Sequence, residues 1–314
     1  MKLEGVHHVT AITADAQANV DFYAGVLGLR LVKKSVNQDN PTVYHLFYAD
    51  EDGDPGSDIT FFEYPGIPAG RAGDGMIHRV VWRVGSSESL DFWAERLGER
   101  SLETRRLEDR PALRFDDPEG LEHELLVADV DDEPLVAEHP EVPSELALQG
   151  FDGVCAYSSE PERSRQALEE TLGLSPRGDL LWEARGELRG GLYAYHEPPA
   201  EPGTQGAGTV HHVAWASPPD EHEAWRERVV AAGLRPTPVI DRFYFRSVYF
   251  REPGGVLFEI ATDPPGFTLD EPAAELGTTL KLPPMYEPMR DRIERTLPPL
   301  RLPHVRHAEA GKAS

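Results

Sequence analysis

The chain has 314 residues, enough for two domains of ordinary size, each with its own core. Its formal net charge of −24 disfavours nucleic acid and anionic membranes as partners, and no run of about 18 apolar residues predicts a membrane span. The amino terminus lacks the apolar stretch of a signal peptide, and the single cysteine, Cys155, excludes an internal disulfide, so we expect a cytoplasmic protein.

The first predicted unit begins with a strand-like run, GVHHVTAIT, at residues 5–13. The apolar residues of DAQANVDFYAGVLG then recur at helical spacing, with Asp15 as the predicted N-cap and Gly28 as the C-terminal glycine. TVYHLFYAD and DITFFEYPG follow as predicted strands, separated by an acidic turn. The unit is therefore a strand, a helix and further strands.

This order of elements recurs at residues 75–127, 150–197 and 208–263. The segment DDPEGLEHEL of the second unit matches REPGGVLFEI of the fourth, which places Glu124 level with Glu259. One such unit cannot bury its sheet alone. We therefore predict an α+β fold of four βαβββ units in two tandem pairs, with curved mixed sheets around a cavity.

The predicted domain division follows the chain. Residues 1–130 hold the N-terminal pair of units, and residues 150–267 hold the C-terminal pair. The intervening segment, 131–149, is acidic and contains prolines, as is typical of a linker. Residues 268–314 form a C-terminal extension, in which we expect a proline-bounded helix and a loose end.

Two histidine doublets stand out, VHHV in the first unit and VHHV in the fourth. Because side chains on a strand alternate between faces, only one histidine of each pair, His7 or His8 and His211 or His212, should face the cavity. The pattern alone does not decide which one. Units one and four thus offer at least one imidazole each.

Glu259 lies on the last predicted strand of unit four, between Phe258 and Ile260. A carboxylate there either faces a polar cavity or costs several kcal/mol unpaired. Two neutral imidazoles and one carboxylate form the ligand set of non-heme Fe(II) sites, which leave positions open for substrate and O₂. The doublets and Glu259 therefore predict a metal site.

The remaining histidines are assigned to other roles. Hydrogen-bonded core positions are expected for three of them, His45, His78 and His196. His123 lies between two glutamates, which favours a solvated strand face.

Units two and three lack complete doublets. Cys155 falls at the doublet position of unit three and is expected to be buried. In unit two, His78 aligns either with His8 or with His211, so that His78 and Glu124 could form a rival metal site.

The four-unit layout and the segments GVHHVTAIT, TVHHVAWA and DRFYFRSVYFREPGGVLFEIATD resemble the vicinal oxygen chelate (glyoxalase/bleomycin-resistance/dioxygenase) superfamily. Within it, the chain is similar to hydroquinone-type ring-cleaving dioxygenases, over nearly its whole length and including LPPMYEPMRDRIERTLPPL. The resemblance implies an Fe(II)-dependent, extradiol-type enzyme that opens a hydroquinone or catechol-like aromatic with O₂ to give an acid. Mn, Zn and Ni are alternative metals. The implied partners are a small aromatic substrate and O₂, and a homo-oligomer is compatible with the sequence.

The resemblance also implies roles for individual residues. The metal ligands would be His8, His212 and Glu259. Substrate-side roles would fall to His7, Thr10, His211, Arg242 and Tyr249. Tyr249 would donate a hydrogen bond to the bound oxygen species, His7 or His211 would move protons, and Arg242 would neutralise a phenolate or a ring substituent. Units one and four would then meet at one metal, with units two and three as scaffold.

Two other functions are compatible with the sequence. A glyoxalase-like isomerase or lyase uses two histidines and two glutamates around zinc or nickel, and Glu63 closes unit one as Glu259 closes unit four. A non-catalytic, resistance-type binding protein is the second alternative. Such proteins are usually single pairs of units without a ligand triad, so the length and the triad argue against it.

Overall fold

The computed structural model describes residues 1–107 and 110–303, and the four units are found where the sequence predicts them. Unit one comprises β1 (Val6–Thr13), α1 (Ala16–Val20), β2 (Arg30–Asn37), β3 (Asn40–Ala49) and β4 (Asp58–Glu63). Unit two comprises β5 (Ile77–Val84), α2 (Ser87–Leu97), β6 (Ser101–Leu107), β7 (Arg110–Asp116) and β8 (Glu122–Val127). None of the helices has the length and apolar character that a membrane span requires within the described residues.

The second half of the chain repeats this order. Unit three comprises β9 (Phe151–Tyr157), α3 (Glu162–Gln166), β10 (Ser175–Gly178), β11 (Leu181–Arg185) and β12 (Gly190–His196). Unit four comprises β13 (Val210–Ser217), α4 (His222–Ala231), β14 (Ile240–Asp241), β15 (Arg246–Arg251) and β16 (Leu257–Thr262). A last helix, α5, spans Arg290–Thr296.

The helix of unit one begins and ends at the predicted residues. The Asp15 carboxylate accepts hydrogen bonds from the backbone N–H groups of Gln17 and Ala18, which satisfies two donors that a helix start leaves open. A π-helical segment, Asp21–Val26, extends the helix. Gly28 then adopts a φ of 71°, the left-handed conformation that commonly ends helices.

The strands form two eight-stranded sheets. One has the order β14-β15-β16-β13-β1-β4-β3-β2, and the other β10-β11-β12-β9-β5-β8-β7-β6. Unit one therefore shares a sheet with unit four, and unit two with unit three, as expected if the outer units meet at one metal. Each sheet thus contains one unit from either side of the proposed linker. The division into 1–130 and 150–267 therefore stays a prediction about the order of the units along the chain.

Alternation along β1 separates the two faces of its sheet. Val9 and Ala11 belong to the main apolar cluster, which also includes helix residues such as Val20. His8 and Thr10 line a pocket on the other face. The core therefore lies on the helix side, and the opposite, curved face carries the polar groups.

One expectation about an individual residue is wrong. His123 is fully buried on the helix side, where it is 2.9 Å from the Tyr23 hydroxyl and accepts a hydrogen bond from the Trp82 indole at 3.0 Å. At the start of the C-terminal extension, Lys33 of β2 binds Asp270 at 2.8 Å and Glu271 at 2.5 Å, which ties the extension to the first sheet. The predicted helix is present as α5, and the predicted loose end falls on residues 304–314, which lie outside the described residues.

Candidate metal centre

The register of the first sheet brings the two doublets together. On the antiparallel strands β1 and β13, His8 pairs with Ala214 and Thr10 pairs with His212. On the parallel strands β13 and β16, Ala214 pairs with Glu259. Since directly paired residues share one face of a sheet, His8, His212 and Glu259 point to the same side.

Three candidate ligand atoms converge there. Nε2 of His8 lies 3.3 Å from Nε2 of His212, and Oε2 of Glu259 lies 3.2 Å from the first and 2.8 Å from the second. Metal bonds near 2.0–2.2 Å place neighbouring ligand atoms about 3 Å apart, so the spacing fits one ion. Among the described residues, this is the one group of three His, Cys, Asp or Glu side chains close enough to hold a metal.

Burial supports the same conclusion. All three side chains are buried, and Oε2 of Glu259 accepts no hydrogen bond of good geometry within the described part of the chain. Its near neighbours are the Nε2 atoms of His8 and His212, and a buried carboxylate oxygen in this setting is costly unless a proton or a metal cation lies between it and the imidazoles. The donor set of two imidazoles and one carboxylate fits a divalent transition metal.

The electrostatics of the three residues are coupled. Burial opposes the charged form of His8, but the Glu259 carboxylate outweighs this and raises the pKa of His8. Burial dominates at His212 and lowers its pKa. Burial also opposes the charged form of Glu259, yet the two histidines hold the pKa of Glu259 well below its usual range. The carboxylate is therefore ionised and available as a ligand.

His8 and His212 each contact the other histidine of their own doublet. Nδ1 of His7 lies 3.0 Å from Nδ1 of His8, and Nδ1 of His211 lies 2.8 Å from Nδ1 of His212. His7 and His211 therefore lie behind the ligands, away from the pocket that His8 and His212 line. Their predicted proton-moving roles stay predictions.

The contacts of His7 determine the tautomer of His8. Nε2 of His7 lies 3.3 Å from the Thr262 carbonyl, which can only accept a hydrogen bond, so His7 carries its proton on Nε2. Burial and the neighbouring His8 lower the pKa of His7 to about 3, which keeps the ring neutral and leaves Nδ1 as an acceptor. His8 then donates from Nδ1, and its Nε2 lone pair faces the ligand cluster.

Ser247 orients the carboxylate and was missed by sequence reasoning. Its buried hydroxyl donates a hydrogen bond to Oε1 of Glu259, which leaves Oε2 towards the imidazoles. Ser247 lies on β15, next to the strand that carries Glu259, at the position paired with Ala261. Serine in a strand carries no sequence signal for this role.

Thr10, Arg242 and Tyr249 line the same pocket as His8 and His212. Tyr249 pairs with Glu259 across β15 and β16, and its ring contacts the His212 ring with centroids 5.6 Å apart. Nε of Arg242 donates to the Tyr249 hydroxyl at 3.3 Å, and the guanidinium also faces Asp39 at 3.3 Å. The structure therefore brings these three predicted residues together.

The tyrosine is held neutral. Burial, and then the Glu259 carboxylate, raise the pKa of Tyr249, although Arg242 opposes both. Because the hydroxyl oxygen accepts from Arg242, its own proton remains available for an acceptor in the pocket. Tyr249 is thus a hydrogen-bond donor at neutral pH.

His45 also belongs to this pocket, which the sequence assignment to the core did not predict. Its Nε2 lies 2.9 Å from the Thr60 hydroxyl, which in turn lies 2.8 Å from the Thr10 hydroxyl. Aromatic rings form the apolar walls, and those lining the pocket include Phe47, Phe62 and Phe245. Apolar walls with a few polar groups are typical of small-molecule sites.

Glu63 is not level with Glu259. In unit four, Glu259 pairs with Ala214, which lies two residues after His212. In unit one, the residue two positions after His8 is Thr10, and Thr10 pairs with Thr60. Thr60 therefore corresponds to Glu259. Glu63 pairs with Thr13 farther along β1, and its Oε1 faces the backbone N–H of Ala16 at 3.3 Å. The fourth ligand position therefore holds a threonine.

The rival site of unit two is not a metal site. In unit two, Val81 pairs with Glu124, as Ala214 pairs with Glu259 in unit four. Arg79 precedes Val81 by two residues and therefore takes the place of His212. Its guanidinium binds Glu124 at 2.7 Å. His78 is thus level with His211. In unit three, Gly153 rather than Cys155 takes the ligand position, because Gly153 pairs with Val81. Cys155 is buried, as predicted.

A family model described as the Glyoxalase/Bleomycin resistance protein/Dioxygenase superfamily matches residues 5–125 and 150–260. A Bacillus subtilis (strain 168) protein named "Putative ring-cleaving dioxygenase MhqO" is 41% identical over 305 residues, covering 95% of this chain and 97% of its own. The chlorohydroquinone/hydroquinone 1,2-dioxygenase of Sphingobium indicum is 34% identical over 312 residues, covering 94% and 96%. A crystal structure titled "putative dioxygenase from Bacillus subtilis subsp. subtilis str. 168" superposes with a TM-score of 0.89 at 40% identity, covering 96% of this chain and 98% of that chain.

Proposed function

The chain belongs to the Glyoxalase/Bleomycin resistance protein/Dioxygenase superfamily, and we propose that it is an Fe(II)-dependent, extradiol-type dioxygenase that opens a hydroquinone or catechol-like ring. The predicted enzyme class, a ring-cleaving dioxygenase, is confirmed by relatives that align over nearly their whole lengths. The metal and the type of cleavage are the proposed part. The observation that carries them is the group His8, His212 and Glu259 at the base of an aromatic-walled pocket.

These three residues would hold the iron. Fe(II), when bound, supplies the redox chemistry that lets O₂ react with an aromatic ring, and a three-residue ligand set leaves positions for substrate and O₂. Thr60 supports this count, since it offers a hydroxyl where a glyoxalase-like site would need a second carboxylate. The ligand set therefore favours the dioxygenase over the isomerase or lyase.

The pocket walls would orient the substrate ring. Phe245 packs 5.1 Å from the His8 ring centroid on one side, and Phe62 packs against the rings of His45 and His211 on another. Apolar contacts of this kind exclude water and fix the plane of a bound ring. A small flat aromatic matches these walls.

Arg242 and Tyr249 would act on the negative charge that develops on oxygen. The Arg242 guanidinium neutralises a phenolate, and its hydrogen bond to Tyr249 fixes the direction of the tyrosine hydroxyl. Tyr249, held neutral, donates its proton into the pocket beside His212. Donors that are already oriented cost little reorganisation when charge appears.

His45, Thr60 and Thr10 would supply a second polar side of the pocket. Their hydrogen-bonded chain can shift by rotation of two hydroxyl groups, so a proton can be accepted at one end and released at the other. Burial and the nearby His8 keep the pKa of His45 well below its ordinary value, and the ring is therefore a neutral acceptor. A hydroxyl of the substrate could donate a hydrogen bond to this hydrogen-bonded chain.

Oxygen uptake by the iron-loaded chain tests the proposal. Hydroquinones and catechols are supplied as two panels, and dissolved O₂ and metal content are measured together. We expect O₂ consumption that depends on iron. Isomerisation consumes no oxygen, so turnover of a carbonyl substrate by the zinc or nickel form without O₂ would favour the glyoxalase-like function. Binding of aromatics to the iron form without turnover would favour a binding protein.

A further inference from the structure

The second sheet contains a cavity at the place that corresponds to the metal centre. Its volume is about 180 Å³, and residues lining it include Val81, Gly153, Cys155 and Ala194. Gly153 pairs with Val81, and Cys155 pairs with Ala194. The first sheet shows the same arrangement, with His8 paired with Ala214 and Thr10 paired with Thr60.

Four positions surround the centre of each sheet. In the first sheet they hold His8, His212, Thr60 and Glu259, and in the second Gly153, Arg79, Ala194 and Glu124, in the same order. Arg79 binds Glu124 at 2.7 Å and also binds Glu122, so these charges are paired with each other. A Cβ on Gly153 would lie 2.2 Å from the Leu192 carbonyl oxygen, which excludes a ligand side chain there. In the second sheet, the Arg79–Glu124 ion pair thus takes two of the four positions, and the cavity lies beside the other two, Gly153 and Ala194.

The walls of this space are apolar. Val81, Leu180, Leu192 and Ala194 contribute hydrocarbon surface, and Leu180 and Leu192 are only partly buried because they border the opening. A half-buried leucine with a φ of 56°, as Leu180 has, is uncommon and places its side chain at this rim.

The polar groups of the lining are already paired. The two carboxylate oxygens of Asp152 accept from Arg83 and Arg110, each at 3.1 Å. Nδ1 of His196 lies 3.0 Å from Nε2 of His78, and the Tyr195 hydroxyl donates to Glu252 at 2.8 Å. A polar ligand would therefore find few partners, and the exposed Asp179 at the rim repels anions.

From this geometry we propose that the second sheet binds one uncharged, monocyclic aromatic molecule of largely hydrocarbon character, without metal. The size is appropriate, because an apolar protein cavity of about 150 Å³ accommodates benzene. The site is separate from the metal centre, since it lies on the other sheet. Each chain then has two places for an aromatic ring, of which one carries the chemistry.

Binding of 4-fluorotoluene to the metal-free, full-length chain tests this, with ¹⁹F NMR as the readout. At this cavity we expect saturable binding of one equivalent, with an affinity at least tenfold higher than that of hydroquinone, whose hydroxyls would be buried there without partners. Ala194→Leu narrows the cavity and should weaken binding at least tenfold. Thr10→Leu narrows the metal-side pocket instead and should leave it unchanged.

Three results would overturn the proposal: no saturable binding to the wild type, equal affinity of the Ala194→Leu variant, or loss of binding in the Thr10→Leu variant.

A second measurement needs no variant. Cys155 is the only cysteine of the chain and lines the cavity. Its modification by methyl methanethiosulfonate should slow several-fold in the presence of 4-fluorotoluene, and an unchanged rate would contradict binding at this site. Neither measurement involves iron or turnover, so both are independent of the proposed dioxygenase activity.

Discussion

Nε2 of His8 faces Nε2 of His212 at 3.3 Å, although 204 residues separate the two histidines in the chain. Two neutral imidazoles whose Nδ1 atoms both carry protons would point two lone pairs at one another, which is unfavourable without a proton or a cation between them. Glu259 adds a carboxylate oxygen to the same point. The arrangement is therefore stable when a metal ion or a proton occupies it.

Replacing any of the three ligands by alanine should abolish iron retention. His8→Ala, His212→Ala and Glu259→Ala each leave two protein ligands, so we expect a loss of affinity of more than about a hundredfold, beyond the 10- to 100-fold cost of outer-shell changes. Iron content after gel filtration and circular dichroism measure the effect and the fold. His78→Ala, on the corresponding strand of the other sheet, is the control and should retain iron. Full iron content in any of the three variants would refute the ligand assignment.

Tyr249→Phe should keep iron but slow turnover. The ring still packs beside His212, while the donor to developing charge is lost, which typically reduces kcat by about a hundredfold or more. Steady-state kinetics and iron content are compared with those of Tyr157→Phe, a half-buried tyrosine of β9. If the Tyr249 variant lost its iron together with its activity, the tyrosine would be structural.

His7 should act through His8. His7→Leu removes the acceptor that fixes the His8 tautomer, and we expect metal affinity to fall by about 10- to 100-fold. His7→Asn supplies a carbonyl oxygen near the position of Nδ1 and should restore much of the affinity. Competition with a metal-binding dye measures both variants. Equal affinity of the leucine variant and the wild type would show that His7 does not position the ligand.

Asp58 should make the metal-free protein less stable as pH rises. Its side chain is buried, both oxygens lack hydrogen-bond partners among the described residues, and burial raises its pKa from 3.8 to about 7. Unfolding lets Asp58 lose its proton near pH 4, whereas the folded chain keeps it until near pH 7. Between these values the folded state binds more protons, so the free energy of unfolding decreases with pH.

Asp58→Asn removes this dependence. It should increase the free energy of unfolding at pH 8 by up to about 4 kcal/mol and have little effect at pH 4. Urea unfolding at both pH values measures the difference, with Asp52→Asn at an exposed position as the control. An equal effect of Asp58→Asn at both pH values would contradict the raised pKa.

The sequence was sufficient for the four units, the N-cap at Asp15 and the meeting of units one and four, because these depend on local periodicity and on the repeated doublets. It was not sufficient to determine which residues of neighbouring strands lie opposite one another. Register shifts occur in β1 near His8 and in β5 near Arg79, and a shift changes which residues share a face. Counting along the chain therefore placed Cys155 at the position that Gly153 occupies. Glu63 was matched to Glu259 although it is the last residue of β4, as Thr262 is the last residue of β16.

Other features depend on contacts between distant segments. Ser247 orients Glu259 from a neighbouring strand, and His123 is buried because Tyr23 and Trp82 reach it from elsewhere in the fold. A serine among strand residues and a histidine between two glutamates carry no signal for these partners. Such assignments need the register of the sheets.

Labelled oxygen tests the central claim most directly. The iron-loaded chain is supplied with hydroquinone under ¹⁸O₂, and O₂ uptake and the mass of the product are measured together. The account predicts one O₂ consumed for each hydroquinone and ¹⁸O in a ring-opened acid, with neither result in the His212→Ala variant. Conversion of hydroquinone without uptake of O₂, or a ring-opened product free of ¹⁸O, would contradict it.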